Sequence, residues 1–133
     1  MSRGMLHHLE LNVANLEQSV AFWGWLLEYL GYEVYQTWDN GRSWQLGATY
    51  LVLVQVEEPF SETSYHRKQV GLNHLAFQVE TTDEVDQIAQ LLVENNIKML
   101  YQERYPYAGG PEHYAVYFED PNRIKVEIVA TTV

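Results

Sequence analysis

The sequence predicts an α+β fold in which one β-α-β-β-β unit occurs twice. Two strand-like segments open with a histidine, His8 and His74, about half of the 133-residue chain apart. Each is followed by a helical segment with acidic residues in its first turn, and then by three more strand-like segments. We therefore expect one domain over residues 1–133, with module one at about 5–58, a linking segment at about 59–70 and module two at about 71–130.

The first unit begins with "MLHHLELNV", in which polar and apolar residues alternate as they do in a strand. "NLEQSVAFWGWLLEYLG" follows with apolar residues at helical spacing, Asn15 as the N-cap, Glu17 in the first turn and Gly31 as the C-cap. "YEVYQTWD", "RSWQLG" and "TYLVLVQV" are predicted strands, and the pair Asn40 and Gly41 predicts the turn between the first two.

The second unit repeats this order. "GLNHLAFQV" is a predicted strand, and "TTDEVDQIAQLLVENN" is a predicted helix that begins with threonine and acidic residues. "KMLYQER", "HYAVYFED" and "RIKVEIVA" complete the unit as three strands. The segment "YPYAGGPEH" is rich in Tyr, Gly and Pro and is predicted to be a longer loop.

Composition excludes several classes of function. The chain has no cysteine, which rules out disulfides, thiolate metal sites and a cysteine nucleophile. Its net charge of −10, with 8 Lys and Arg, disfavours nucleic acid as a partner. The N-terminal residues lack the apolar stretch of a signal peptide, and no apolar run is long enough to span a bilayer. We expect a cytoplasmic protein that acts on a small molecule.

The two histidines and one glutamate are candidate metal ligands. His8 shares a strand face with Glu10 and Asn12, and Glu127 stands in an otherwise apolar terminal strand. Two histidines and a carboxylate on neighbouring strands can bind a divalent metal and leave positions open for a substrate. By spacing alone, however, a histidine that opens a strand is more often a surface or hydrogen-bonded residue, and a terminal-strand glutamate is usually exposed.

The segments "HHLELNV" with "LEQSVAFW", "GLNHLAFQV" with its acidic-capped helix, and "YFEDPNRIKVEIV" together resemble the glyoxalase/bleomycin resistance/dioxygenase superfamily, also called vicinal oxygen chelate proteins. The resemblance covers essentially the whole chain. It implies two paired βαβββ modules around a metal-bearing cleft, and a homodimer. It also implies one divalent ion (Fe, Mn, Ni, Co or Zn), with His8, His74 and Glu127 as its ligands.

One departure from the family affects the expected reaction. Glyoxalase I members carry a further carboxylate on the last strand of the first module, and aligning the two final strands by their turns brings Leu51 opposite Glu127. Gln55 is the nearest polar candidate on that strand. The resemblance therefore implies a metal-dependent enzyme for a substrate with vicinal oxygens, with dioxygenase-like or thiol-transferase-like chemistry favoured over glyoxalase I. The alternative is a non-catalytic protein that sequesters an aromatic or drug-like ligand in a dimer cleft.

Other residues are candidates for the pocket. Arg67 could clamp an anionic group of the substrate, and we group it with three further candidate substrate-binding residues: His66, Tyr107 and Gln55. The loop "YPYAGGPEH" and the strand after it supply the candidate catalytic residues His113, Tyr105 and Tyr114. An ordinary aromatic loop at the sheet edge and a solvated basic linker are the competing interpretations.

Overall fold

A computed structural model describes residues 3–60 and 65–132. The chain divides into two compact units, residues 1–64 and 65–133. Over the described residues, each unit contains one α-helix and one four-stranded sheet. The predicted α+β class and the repeated β-α-β-β-β order are confirmed.

The first unit forms its sheet in the order β1-β4-β3-β2, with β1 parallel to β4 and the other pairs antiparallel. Its helix begins at the predicted cap, where the Asn15 side chain accepts a hydrogen bond from the Gln18 amide. Gly31 follows the helix with a φ of 102°, a conformation that glycine adopts without strain. The elements are β1 His8–Val13, α1 Leu16–Tyr29, β2 Glu33–Trp38, β3 Gly41–Leu46 and β4 Thr49–Gln55.

The core of the first unit lies between α1 and one face of this sheet. Trp23, Leu26 and Leu27 of the helix are fully buried, as is Trp44 of β3. The Trp44 indole donates a hydrogen bond to Glu28 at the helix end, which satisfies its only polar group. The β2–β3 turn lies one residue earlier than predicted, because Trp38 pairs with Gly41 and residues 39 and 40 make the connection.

The second unit has the same strand order, β5-β8-β7-β6, again with its first strand parallel to its last. Thr81 and Glu84 form a reciprocal capping box at the start of the helix. Val85, Ile88 and Leu92 of that helix are buried. The elements are β5 His74–Val79, α2 Thr82–Glu94, β6 Met99–Leu100, β7 Ala115–Glu119 and β8 Lys125–Ala130.

The strand predicted for "KMLYQER" is reduced to the two residues of β6. Tyr101 takes a left-handed backbone conformation with φ 59°, and a short 3-10 turn, Gln102–Arg104, follows it. A left-handed residue ends the extended backbone that a strand requires, so pairing stops at Leu100.

Alternation along β5, β7 and β8 gives the second sheet two different faces. Val116, Phe118, Val126 and Ile128 are buried on the face that packs against α2. The opposite face, which we call the open face, carries His74, Tyr117, Lys125 and Glu127 in adjacent register positions. Neither helix in the described part of the chain is long and apolar enough to cross a bilayer.

Candidate functional site

Glu127 is a buried carboxylate at the centre of the open face. It is 3% exposed, and each of its oxygens meets a histidine. His74 Nε2 lies 3.0 Å from Oε1, and His113 Nε2 contacts Oε2. An isolated buried charge is costly, so both imidazoles stabilise the carboxylate in its position. We call Glu127, His74 and His113 the Glu127 centre.

The Asn73 side chain next to His74 orients the ring so that Nε2 faces the carboxylate. Asn73 Oδ1 lies 2.7 Å from His74 Nδ1 and accepts a hydrogen bond from it when Nδ1 carries the proton. An outer hydrogen bond of this kind fixes the tautomer and the ring orientation of many metal-binding histidines. Nε2 is then the ring nitrogen directed at Glu127, and it is the nitrogen that a metal would use.

His113 reaches the centre from the loop before β7, and Gly109 of that loop lies against it. A Cβ atom added at Gly109 would be 2.5 Å from Tyr117 Oη and 2.7 Å from His113 Cδ2. Real Cβ atoms do not approach other atoms that closely, so the loop can cover this side of the centre only with glycine at position 109. The loop backbone therefore helps to hold His113 against Glu127.

Tyr117 is the third neighbour of Glu127. It is directly opposite Glu127 in the β7–β8 register, and its hydroxyl hydrogen-bonds to the carboxylate. Burial and the negative charge of Glu127 raise the pKa of Tyr117 to about 12. The phenol therefore stays protonated at neutral pH and acts as a hydrogen-bond donor.

The Glu127 centre has the chemistry of a divalent-metal site. Imidazole nitrogens and a carboxylate suit Fe, Mn, Ni, Co and Zn, and the buried carboxylate supplies negative charge. Across residues 3–60 and 65–132, however, no three His, Asp or Glu side chains are arranged to hold a metal ion. The centre is closed by direct nitrogen–oxygen contacts, and metal binding would replace the one between His74 and Glu127. Metal binding stays a prediction.

His8, the remaining predicted ligand, lies in the first unit at the start of β1. Its ring is exposed and stacks on Tyr50, with 4.8 Å between ring centroids and 5° between planes. His7 Nδ1 lies 2.9 Å from His8 Nδ1. Within its own unit His8 thus belongs to an aromatic cluster that also includes Tyr35, 5.1 Å from Tyr50.

The alignment of Leu51 with Glu127 is wrong by one residue. His8 pairs with Tyr50 and His74 pairs with Lys125, so the residue that corresponds to Glu127 is Val52. A shift of one residue moves a side chain to the other sheet face. The conclusion that this position lacks a carboxylate is unchanged, although Glu10 pairs with Val52 and places a carboxylate beside it.

Three predicted substrate-binding residues are bonded to other parts of the protein. Arg67 Nη1 is 2.7 Å from Glu119 Oε2 and donates to the Arg123 carbonyl. His66 Nδ1 accepts a hydrogen bond from the Lys68 amide. The Gln55 side chain bonds the backbone of residues 14, 16 and 56.

Tyr105 and Tyr114, predicted to be catalytic, lie at helix α2 instead. Both hydroxyls donate to Asp86 Oδ1, from Tyr114 at 2.7 Å. These contacts, together with burial, raise the pKa of both tyrosines. Tyr107, predicted to bind substrate, is 48% exposed and makes an edge contact with Tyr114. Of the seven predicted pocket residues, His113 is the one found at the Glu127 centre.

Sequence reasoning missed Asn73, Tyr117 and Lys125. Alternation along "HYAVYFED" places His113, Ala115, Tyr117 and Glu119 on one face, so the pattern contained the signal for Tyr117. Asn73 has no comparable signal, because its role depends on the ring orientation of its neighbour.

Comparison with known proteins shows related sequences and structures. Residues 7–118 match the family described as the glyoxalase/bleomycin resistance protein/dioxygenase superfamily. The uncharacterised protein YqjT of Bacillus subtilis is 54% identical over 125 residues, which cover 94% of this chain and 98% of that protein. The crystal structure of a candidate glyoxalase from Bacillus halodurans is 58% identical, with a TM-score of 0.95 and 96% of each chain covered.

A more distant structure shares the fold. The fosfomycin resistance protein FosX of Listeria monocytogenes, crystallised with Mn(II) and a sulfate ion, is 19% identical with a TM-score of 0.68. The superposition covers 99% of this chain and 96% of the FosX chain.

Proposed function

Because this chain belongs to the glyoxalase/bleomycin resistance protein/dioxygenase superfamily, we propose that it is a metal-dependent enzyme acting on a small substrate with vicinal oxygens. One observation carries the proposal: a buried carboxylate, Glu127, has a histidine nitrogen against each of its oxygens. The candidate glyoxalase from Bacillus halodurans and the Mn(II)-bound FosX support it as relatives.

His74 and Glu127 would hold the metal in the second unit, and His8 is the further ligand implied by the family. When bound, a divalent ion would polarise the substrate oxygens and stabilise negative charge that develops on them. Asn73 keeps the His74 ring oriented by accepting a hydrogen bond from Nδ1. Tyr117 donates a hydrogen bond to Glu127 and helps to hold the carboxylate in its buried position.

His113 is the proposed proton-transfer residue. Its side chain is 43% exposed, so it can exchange protons with solvent or substrate while Nε2 faces Glu127. An imidazole in this position can take a proton at Nε2 and return it, as general acid–base catalysis requires. Gly109 keeps the loop close enough for this role.

The reaction class we favour is dioxygenation or thiol addition. Val52 at the position matching Glu127 leaves the first unit without the carboxylate that glyoxalase I chemistry uses at that strand. Glu10, its cross-strand partner, is the carboxylate next to that position in the first unit.

The alternative function is sequestration of an apolar or aromatic ligand without chemistry. A cavity of about 360 Å³ lies between α2 and the β6 edge in the second unit, which is within the range of small-molecule sites. Its wall includes Val93, Met99, Leu100 and Val116, with Asp86 at its polar part. Binding of a ligand in this cavity would persist after chelator treatment, whereas a metal-dependent activity would be lost.

The experiment that tests the main proposal is metal analysis of untagged protein after exposure to Mn, Fe, Co, Ni and Zn. We expect about one ion per chain in the wild type, and a loss of affinity of at least about tenfold in His8→Ala, His74→Ala and Glu127→Ala. His66→Ala is the matched control, because His66 is exposed and its side chain accepts a hydrogen bond from Lys68 of its own turn. A wild type that takes up no metal, or variants that bind as well as the control, would overturn the proposal.

A further inference from the structure

Lys125 lies on the open face beside the Glu127 centre, and two tyrosines hold its ammonium group. Nζ is 3.3 Å from Tyr101 Oη, and it lies 5.3 Å and 5.6 Å from the ring centroids of Tyr101 and Tyr117. In the register Lys125 is directly opposite His74. The cation is therefore one strand from His74 and two residues from Glu127.

The carboxylate closest to Lys125 in the register is paired with other cations. Glu119 faces Lys125 across β7 and β8, but its Oε2 lies 2.7 Å from Arg67 and 3.6 Å from Arg123. Among the residues that the structure describes, no carboxylate oxygen lies within 4.0 Å of Lys125 Nζ. Aromatic rings attract a cation through their faces but accept few of its hydrogen bonds, so Lys125 keeps donors for an oxyanion.

Tyr101 is held in a strained conformation that turns it toward Lys125. A φ of 59° is uncommon for any residue with a side chain and is rare for an aromatic one. The Tyr101 ring makes an edge contact with Tyr117 at 5.4 Å, and the Arg104 guanidinium lies 5.0 Å from its centroid. Strain of this kind persists where surrounding contacts hold it, and it concentrates at ligand sites.

We propose that Lys125 and Tyr101 form a subsite for an oxyanion of the substrate, next to the Glu127 centre. An ammonium and a phenol hydroxyl can each donate a hydrogen bond to a carboxylate or a similar anionic oxygen group, and the ammonium bond is charge-assisted. The substrate class is then a small oxygen-containing acid. This inference rests on the proposed function, because the Glu127 centre would receive the other oxygens of the same molecule.

The negative net charge of the chain increases the importance of Lys125 for binding an anionic substrate. With a net charge of −10, the protein repels anions at long range, so an acid substrate needs a local positive group. Arg67, which the sequence suggested for this role, is bonded to Glu119 and is 14% exposed. Lys125 is the cation on the open face that remains available beside His74.

Titration of the metal-depleted protein with sodium oxalate tests the subsite, with NMR detection of the Tyr101 and Lys125 amides at constant ionic strength. We expect saturable binding in the wild type that is weaker by about tenfold or more in Lys125→Met, which keeps the aliphatic stem. Tyr101→Phe should weaken oxalate binding by less than Lys125→Met does. Lys98→Met is the matched control, since Lys98 is an exposed lysine of the same unit, and it should bind as the wild type does.

Equal binding by Lys125→Met and the wild type would overturn the subsite, as would an equal loss in Lys98→Met. Metal analysis of the same variants separates this inference from the proposed function. Lys125→Met should take up as much metal as the wild type, because it keeps every proposed ligand. If neither the wild type nor the variants take up metal while oxalate binding still depends on Lys125, the proposed metal-dependent enzyme is ruled out. The oxyanion subsite is then supported on its own.

Discussion

At the scale of single residues, the buried Glu127 carboxylate is stabilised by the side chains that contact it. A carboxylate that is 3% exposed has little contact with water, and leaving it unpaired would cost several kcal/mol, roughly 3–5 when one partner of a buried pair is removed. His74, His113 and Tyr117 together replace the lost hydration. The open face of the second sheet is therefore stabilised at this point by polar contacts rather than by apolar packing.

Tyr117 gives a pH-dependent prediction at this scale. Its pKa is about 12 in the folded protein and about 10 in an unfolded chain, so its contribution to stability is complete below pH 10 and decreases as the pH rises toward 12. Between pH 8 and pH 11 the wild type should lose about 1 kcal/mol more unfolding free energy than Tyr117→Phe. Urea unfolding of both proteins at the two pH values measures the difference, and equal losses would contradict it.

Gly109 shows how a loop determines the geometry of the centre at the scale of elements. The loop between the 3-10 turn and β7 approaches Tyr117 and His113 so closely that a methyl group has no room. Because these two residues both contact Glu127, the loop and β8 are coupled through side chains of the centre. The consequence is that a change in the loop should alter the centre without touching a proposed ligand.

We predict that Gly109→Ala displaces His113 from Glu127. Its unfolding free energy should fall by about 1–3 kcal/mol, as in other overpacked sites, and metal affinity should fall by about tenfold or more. Gly110→Ala provides the comparison: its Cβ would meet nothing, but its φ of 138° makes alanine costly. Gly110→Ala should lose stability and keep metal affinity. A Gly109→Ala protein with unchanged metal affinity would show that the position of the loop does not affect metal binding at the Glu127 centre.

The sequence predicted elements well where local chemistry defines them. Asn15 and Thr81 are the helix caps that their residue types indicated. His74 and Glu127 were predicted on neighbouring strands, and β5 does pair with β8. The strand after α2 was overestimated because Tyr101 has high strand propensity, yet its left-handed backbone ends the strand.

At the scale of the whole molecule, contacts between distant parts of the chain explain what the sequence could not predict. Its residue type makes Arg67 a candidate substrate clamp, but its guanidinium is paired with Glu119, more than fifty residues away. Tyr105 and Tyr114 likewise depend on Asp86 of a different element. Residue type and spacing indicate what a side chain can do, whereas long-range pairing determines what it contacts. The homodimer expected from the family resemblance stays a prediction.

The Arg67 ion pair with Glu119 should also affect the order in which trypsin cleaves the folded chain after Arg67 and after Lys68. Arg67 has its guanidinium against Glu119 and the Arg123 carbonyl, and its side chain is 14% exposed, whereas the neighbouring Lys68 is exposed. A protease needs several residues of mobile backbone around the bond that it cuts. Brief trypsin treatment should therefore cut after Lys68 before Arg67, and Glu119→Gln should make the two bonds more nearly equal. Mass spectrometry of the fragments would record the order, so a tryptic map can report whether the Arg67–Glu119 ion pair is intact.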